Sequence, residues 1–387
     1  MEVGIAGNFL RWPQTGTGEY LRHLLEALGK QLGGAGSIGG VTVLDDTTGE
    51  RSRTGRRVRR RRVRGQVPGS ANVQKVWLEQ VLLPLAARAA RVDVLHYPYF
   101  AGPLAPTVPV VMTVHDLIPL LLPEYSPTPL ARLYARLCAL AARRAAVVLA
   151  DSEHTRRDIL ATLRVGPDQV RVVPLAAAPE LGPATSDEVR QARERYGLPD
   201  RFVLYLGGLD RRKNLETLLR AVAWLRDDGR EPPPLVIAGG RPGRSTALFP
   251  DYEAEARELG LAELVHFTGP VPTADKAALY TAALAFAFPS RYEGFGLPPL
   301  EALACGTPVL CSNSSSLTEV VGDAALTFAP DDVDALASGY DQLARDAALR
   351  VELSRRGRKR ADQFAWDRTA TLTMAGYVAA ADGIRTR

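Results

Sequence analysis

The 387-residue chain predicts an α/β protein of two domains, each a parallel sheet covered by helices on both faces. Three observations carry that expectation. Short apolar, β-branched runs alternate with segments whose apolar residues recur at helical spacing, and this series runs twice. A stretch rich in Ala, Pro, Gly and charge, 176–196, separates the two series. The length suits two cores of ordinary size.

In the first series, residues 2–7 read as a buried strand, followed by a polar loop and Gly16-Thr17-Gly18. Tyr20, Leu21, Leu24, Leu25 and Leu28 then mark a helix. Val41–Leu44 is a second strand, and an arginine-rich run follows it. Trp77–Ala90 reads as a helix kinked at Pro84, whose ring removes a backbone donor. Val92–His96 and Val108–Val114 are short strands ending in His96 and His115. Leu130–Arg144 is an amphipathic helix with Leu130, Leu133, Leu137, Leu140 and Ala141 on one face. Ala146–Ala150 is a strand, Asp151-Ser152 caps a helix, and Val170–Pro174 closes the series. Within 176–196 the composition reads as a linker plus a short helix.

The second series has strands at Phe202–Leu206, Leu235–Ala238, Val265–Phe267, Leu284–Phe288 and Val309–Cys311. Its helices are Leu215–Leu225, Tyr252–Leu259 and Lys276–Ala282. Parallel sheets bind ligands outside the C-terminal ends of their strands. Those ends carry Gly16–Gly18, His115, Gly207-Gly208 and Ser290–Glu293, as a cleft between two facing domains would require.

The densest chemistry lies in Glu293-Gly294-Phe295-Gly296-Leu297-Pro298-Pro299-Leu300-Glu301. Two carboxylates stand eight positions apart, with Gly-x-Gly between them. Pro298 and Pro299 suit the first helical positions, where a missing amide hydrogen costs nothing, and Leu300–Cys305 continues as a helix stopped by Gly306. Gly294 and Gly296 thus precede a helix N-terminus, where free N–H groups and the dipole favour phosphate. The two carboxylates can bracket a polyhydroxylated ligand whose phosphates rest on the helix end. A second cluster, Gly207-Gly208-Leu209-Asp210-Arg211-Arg212-Lys213-Asn214, sets cations at a loop–helix junction, where they can stabilise charge on a leaving phosphate. Asp332-Val333-Asp334 follows Pro330 and starts a helix, so its acids read as N-terminal caps and not as a metal site.

The string Ser290–Ala302, with its Glu-x7-Glu spacing, resembles the retaining glycosyltransferases of family 4, whose GT-B fold has two facing Rossmann-like domains. The resemblance runs from Gly16–Gly18 to Phe364–Trp366 and includes Val170–Pro174 and Leu317–Asp323. It implies an N-terminal acceptor-binding domain over 1–175, a linker over 176–196 and a nucleotide-sugar-binding domain over 197–360. Residues 361–387 form a helix crossing back to the first domain.

The implied reaction moves a hexose, mannose as first expectation, from a GDP-, UDP- or dTDP-sugar to a hydroxyl of a glycan, lipid-linked or small-molecule acceptor, with retention. Glu301 would hold the ribose hydroxyls and Glu293 the sugar hydroxyls. Amides of Gly294, Phe295, Gly296 and Leu297 would bind sugar and phosphate, and Arg212 with Lys213 would take the diphosphate charge. His115 would face the donor sugar through hydrogen bonds or its carbonyl. Gly16, Thr17 and Gly18 would approach the donor phosphates or the acceptor. No cofactor and no metal are expected. Two departures stand out: Gly208 replaces an arginine common in relatives, and Leu175-Ala176-Ala177 lacks the usual glycine. The alternatives are a nucleotide-sugar 2-epimerase of the same fold and a non-catalytic binder of nucleotide or nucleic acid.

Composition narrows the setting. Hydrophobic content of 46% with 24% charged residues matches a soluble globular chain. No apolar run reaches the roughly 18–20 residues that span a bilayer, and the first residues lack a signal-peptide layout. Cys138, Cys305 and Cys311 give neither a disulfide framework nor metal-ligand spacing. A cytoplasmic protein is the expectation. The net charge of +5 arises from one segment, since Arg51–Arg64 holds nine arginines in fourteen residues. That run admits three readings: a solvated loop, attraction to an anionic membrane at the inner face of the plasma membrane, or nucleic-acid binding. The last is disfavoured, because the segment has no aromatic residues and no recognition module.

Overall fold

The computed structural model describes residues 1–13, 15–32, 38–45, 57–65, 67–240 and 245–385. The elements are β1 (Glu2–Ala6), α1 (Gly16–Gln31), β2 (Gly40–Asp45), β3 (Val58–Arg62), α2 (Ala71–Trp77), α3 (Leu83–Ala89), β4 (Val94–Tyr97), β5 (Val110–Val114), α4 (Ile118–Leu121), α5 (Pro129–Ala142), β6 (Val147–Ala150), α6 (Glu153–Leu163) and β7 (Val170–Val172). There follow α7 (Ser186–Tyr196), β8 (Val203–Leu206), α8 (Leu215–Asp227), β9 (Leu235–Ala238), α9 (Tyr252–Glu258), β10 (Val265–Gly269), α10 (Lys276–Ala282), β11 (Ala285–Phe288), α11 (Leu297–Ala304), β12 (Val309–Ser312), α12 (Leu317–Val321), β13 (Ala325–Phe328), α13 (Val333–Arg345), α14 (Ala347–Ala361) and α15 (Trp366–Arg385).

Two compact units result: residues 1–175 with 365–387, and residues 176–364. The first holds a seven-stranded sheet in the order β3-β2-β1-β4-β5-β6-β7, the second a six-stranded sheet in the order β10-β9-β8-β11-β12-β13. Every recorded strand pair is parallel. The central strands β4, β5, β6, β8, β9, β11 and β12 are buried along their whole length, as sheets covered on both faces demand.

Residues 176–196, expected to link two domains, belong to the second unit, where Ala192 joins the core and Thr185 with Glu188 forms a capping box for α7. Helix α15 belongs to the first unit. Its Tyr377 hydroxyl meets His96 Nδ1 at 2.8 Å, Trp366 stacks on His23, and Thr369 Oγ1 donates to the Pro174 carbonyl at 2.7 Å.

Four local expectations are corrected. The arginine run is not simply a loop: Val58–Arg62 is the edge strand β3, registered on β2 from Val41↔Val58 to Asp45↔Arg62. Backbone hydrogen bonds hold it, so its arginines stay in solvent and blunt the sheet edge. Residues 51–56 of the run lie outside the described residues. Gly16–Gly18 is the first turn of α1, capped by Thr15, instead of a loop before it. Gly18 is required there because a Cβ would sit 2.1 Å from the Trp12 carbonyl oxygen.

Pro84 is accommodated by a π-type turn at Leu78–Leu82, closed by Leu83 N donating to the Leu78 carbonyl, which carries the chain from α2 into α3. Three leucines of the expected α5 face are turned outward, while Ala141 of that face is buried. Leu130, Leu133 and Leu140 are 59%, 63% and 46% exposed, while Ala135, Cys138, Ala141 and Ala142 are buried. Cys138, Ala141 and Ala142 join the buried cluster that includes Met112 and Val148, and the three leucines are left on the surface.

Tyr377→Ala should destabilise the first unit by about 3–5 kcal/mol, the range for removing a buried aromatic ring. Urea unfolding of wild type and variant, followed by far-UV circular dichroism, measures it; a loss below 1 kcal/mol would show that α15 is not anchored by this ring.

Candidate active site

In the second sheet β8 and β11 are neighbours although β9 and β10 intervene in the chain. Such a switch point opens a crevice at the C-terminal strand ends, and the loops after β8 and β11 occupy it. Asn214 ties these loops together. It stands at φ 60° as the N-cap of α8, and its Nδ2 donates to the carbonyls of Pro289 (3.1 Å) and Pro330 (2.6 Å). A 3-10 turn at Arg211–Lys213 precedes it.

Two cations of that turn converge on one atom. Glu293 Oε1 accepts from Lys213 Nζ at 2.6 Å, lies 2.9 Å from an Arg212 guanidinium nitrogen, and accepts from Ser290 Oγ at 2.7 Å. Arg212 also donates to the Tyr292 carbonyl at 2.5 Å, and Lys213 Nζ lies 5.0 Å from the centre of the Phe288 ring. All three charged side chains are 11% exposed. Burial opposes the Glu293 carboxylate, but Lys213 and Arg212 outweigh it and hold its pKa below the usual carboxylate range. Burial, then the neighbouring Arg212, draws the Lys213 pKa down, against the pull of Glu293. Glu293 is therefore a carboxylate at neutral pH, and it holds Arg212 and Lys213 in place before any ligand arrives.

Behind Glu293 the chain turns at Gly294–Gly296 into α11. Gly296 is the N-cap at φ 111°, where a side chain is strained, and a Cβ there would lie 2.7 Å from Leu317 Cδ2 and displace it. The helix starts at Leu297, one residue ahead of the two prolines, with Pro298 and Pro299 inside its first turn as expected. Serines after β12 brace the turn: Ser315 Oγ accepts from Glu293 N at 2.8 Å, and Ser316 Oγ reaches the carbonyls of Glu293 and Phe295. Glu301, in α11, accepts from Lys276 Nζ at 3.0 Å and from the Tyr280 hydroxyl at 2.9 Å.

The second unit thus brings together Arg212, Lys213, Glu293, Gly294, Phe295, Gly296, Leu297 and Glu301 around one strand-end region. Asn214's tether, the serine brace, Lys276 and Tyr280 were missed as site residues. The serine run Ser312–Ser316 after a strand was a visible signal, whereas the Lys276–Glu301 pairing spans 25 residues and had none.

The first unit holds the remaining candidates. His115 ends β5, and its Nδ1 meets Asp151 Oδ2 at 2.7 Å while its Nε2 meets the Pro98 carbonyl at 3.2 Å. Burial opposes a charged ring, but Asp151 outweighs it and raises the His115 pKa. Both ring nitrogens are thus engaged, and the His115 carbonyl accepts from Thr155 Oγ1 at 3.5 Å. Asp151 serves His115, leaving the cap of α6 to Ser152, which accepts from Thr155 N. His96 is structural. It is buried between Tyr377 and Thr113, and burial brings its pKa down to about 3. Gly16, Thr17 and Gly18 sit at the N-terminus of α1 as described. Asp332 caps α13 through Ala335 N at 2.9 Å.

Comparison with known proteins gives the chain's family and fold. The family model described as glycosyltransferase family 4 matches residues 15–181, and that described as glycosyl transferases group 1 matches residues 188–360. The chain is 35% identical over 268 residues to O-antigen chain mannosyltransferase B of Escherichia coli, covering 69% of each. It is 32% identical over 304 residues to D-inositol 3-phosphate glycosyltransferase of Jonesia denitrificans, covering 74% of this chain and 71% of the relative. Among solved structures, Anabaena Alr3699/HepE in complex with UDP and glucose aligns with a TM-score of 0.70 at 17% identity, over 98% of this chain and 99% of that one.

Replacing Asn214 separates its two contributions. Asn214→Ala loses both amide hydrogen bonds and strains the positive φ; Asn214→Gly loses only the bonds. Alanine should therefore be the less stable variant by about 1 kcal/mol. Thermal unfolding of the two side by side decides it, and equal stability would mean that the backbone relaxes at this position.

Proposed function

The chain belongs to the glycosyltransferases of family 4, and on that footing we propose that it transfers a hexose from a nucleoside diphosphate sugar to a hydroxyl of a glycan, lipid-linked or small-molecule acceptor, retaining the anomeric configuration. The observation that carries the reading is the single Glu293 oxygen shared by Lys213 and Arg212 ahead of the α11 N-terminus. Breaking the bond between sugar and diphosphate leaves negative charge on the phosphates. Lys213 and Arg212, held in a buried site, stabilise that charge without having to reorganise. The amides of Gly294–Leu297 complete the anion site from the helix end.

Glu293 orients the cations and accepts from sugar hydroxyls, and Glu301, fixed by Lys276 and Tyr280, accepts from the ribose. The His115 carbonyl lies on the donor-sugar side of the reading, as do Gly16, Thr17 and Gly18 with the phosphates or acceptor. Mannose is favoured because of the mannosyltransferase relative, and UDP, GDP and dTDP are the nucleotides to compare. The reading requires no metal, since two cations already neutralise the leaving group. It also includes a cytoplasmic location with peripheral contact to an anionic inner membrane face, supported by the arginines of β3, which attract anionic lipid by roughly 1 kcal/mol each near the surface.

A thermal-shift panel of GDP-, UDP- and dTDP-hexoses tests the reading directly, because a ligand that binds the native state raises its stability. No shift with any of them would remove the donor assignment. For the nucleotide that binds, Glu301→Ala should weaken affinity by about tenfold or more, matching the roughly 1.5–3 kcal/mol of a hydrogen bond to a charged group. Calorimetric titration measures it, and an unchanged constant would take Glu301 out of the donor site.

Arg212→Ala and Lys213→Ala should each lower turnover by about 10²–10³, as loss of a preorganised charge contact does. Steady-state kinetics with a shared donor, run with and without EDTA, checks both claims. Wild-type turnover in folded Arg212→Ala, or activity lost to EDTA and restored by magnesium or manganese, would contradict the charge assignment.

A further inference from the structure

The switch-point rule marks a second place, in the first sheet, where β1 and β4 are neighbours. Asn8 and Phe9 follow β1, and Tyr99 follows β4. A pocket of about 370 Å³ opens there, lined by Asn8, Phe9, Arg11, Trp12, Asn72 and Lys75 among others. Asn8 is only 5% exposed, yet its Oδ1 has no hydrogen-bond partner. Tyr99, buried outside the pocket lining, sits beside Asn8. Buried polar atoms are nearly always satisfied, so the unpaired Asn8 oxygen in the pocket wall indicates where a ligand's hydroxyl binds. Trp12, 44% exposed with Arg11 over its ring at 4.9 Å, adds the flat apolar face on which a sugar ring packs.

The pocket continues into a second cavity of about 540 Å³ that shares Asn72 and Lys75 with it. This one is apolar, formed by Val73, Val76 and Trp77 on α2 and by Leu130, Ala131 and Tyr134 on α5. It accounts for part of the outward leucine face of α5. Val73, Trp77 and Leu130 are 50%, 36% and 59% exposed, an apolar strip with nothing of this unit over it. Lys75 stands at the junction, its Nζ 4.5 Å from the centre of the Tyr134 ring. None of the described residues lining either cavity is acidic. Burial raises the pKa of the nearby Glu79 carboxyl, whose Oε2 accepts from the Tyr134 hydroxyl at 2.8 Å.

We propose that these two cavities form one acceptor groove for a lipid-linked glycosyl phosphate. The sugar lies against Asn8 and Trp12, the phosphate at Lys75, and the first methylenes of the lipid chain between α2 and α5. The order of the parts along the groove, hydroxyl-binding, cationic, then apolar, selects an amphiphile whose phosphate joins its sugar to its chain. The inference rests on the transferase reading and names the acceptor class within it.

Calorimetry with monomeric hexyl, octyl and decyl phosphates, and with decyl glucoside as the uncharged control, tests the groove. Each added methylene should tighten binding about twofold when half-buried. Decyl phosphate should bind about tenfold more tightly than the glucoside, from its charged contact with Lys75. Lys75→Met should abolish the preference for phosphate, and Leu130→Asn, at an exposed position that folding does not need, should flatten the dependence on chain length. Binding independent of chain length, or equal for phosphate and glucoside, would overturn the proposal. So would capture of anionic vesicles with no binding of the monomeric phosphates, which would assign the strip to a membrane surface. Wild-type affinity for a nucleoside diphosphate keeps the two readings apart: nucleotide binding without alkyl phosphate binding refutes the groove alone, and binding of neither refutes the transferase reading.

Discussion

Everything in the second unit's strand-end region is arranged around one carboxylate oxygen. Removing Glu293, Lys213 and Arg212 from water carries a desolvation cost of several kcal/mol per ion, and it is offset only where geometry is good and every remaining polar atom has a partner. That constraint explains the neighbours. Ser290 adds a third donor to the same oxygen, Arg212 spends a second contact on the Tyr292 carbonyl, and Ser315 and Ser316 hold the backbone on either side of Glu293. The carboxylate sits below its usual pKa range, so Glu293 stays charged at neutral pH. Its contribution is lost as pH falls through that lowered value.

The sheet topology decides where such a cluster can form. In both units the strand order reverses direction next to the first strand of the series, at β1/β4 and at β8/β11, and the loops after these strands diverge. Loops that diverge leave backbone and side-chain groups pointing into open space, and this is where both units carry their polar, incompletely satisfied or charge-paired residues. A chain folded this way does not need its functional residues close in sequence. Lys213 and Glu293 are 80 residues apart and meet because β8 and β11 are hydrogen-bonded neighbours.

Most of the strands and helices were legible because burial on both faces leaves a simple record: runs such as Val110–Val114 or Phe286–Phe288 have few polar residues to confuse them. The Glu293–Glu301 segment was legible for a different reason, since glycine, proline and acid each answer a local backbone need there. What escaped the sequence was determined by tertiary partners. The buried side of α5 holds Ala135, Cys138, Ala141 and Ala142, and Leu130, Leu133 and Leu140 are exposed, although the periodicity of the leucines points them inward. β3 is arginine-rich, and only its ladder to β2 makes it a strand. Asp151 looks like a helix cap next to Ser152 until β5 and β6 pair and bring it to His115.

Gly208 shows how far the cationic design depends on position. A Cβ at 208 would meet only Asp210 Oδ2, at 3.3 Å, so packing does not forbid a side chain there. The absent arginine is therefore not imposed by the fold. Its omission leaves Arg212 and Lys213 as the cations joined to Glu293, both on a turn whose end is locked by Asn214. The guanidinium of Arg212, clamped by Glu293 and the Tyr292 carbonyl, is already in place. Because preorganised charge is what lowers a barrier, on the proposed reading a guanidinium four residues further along the loop takes the part that an arginine at 208 would have.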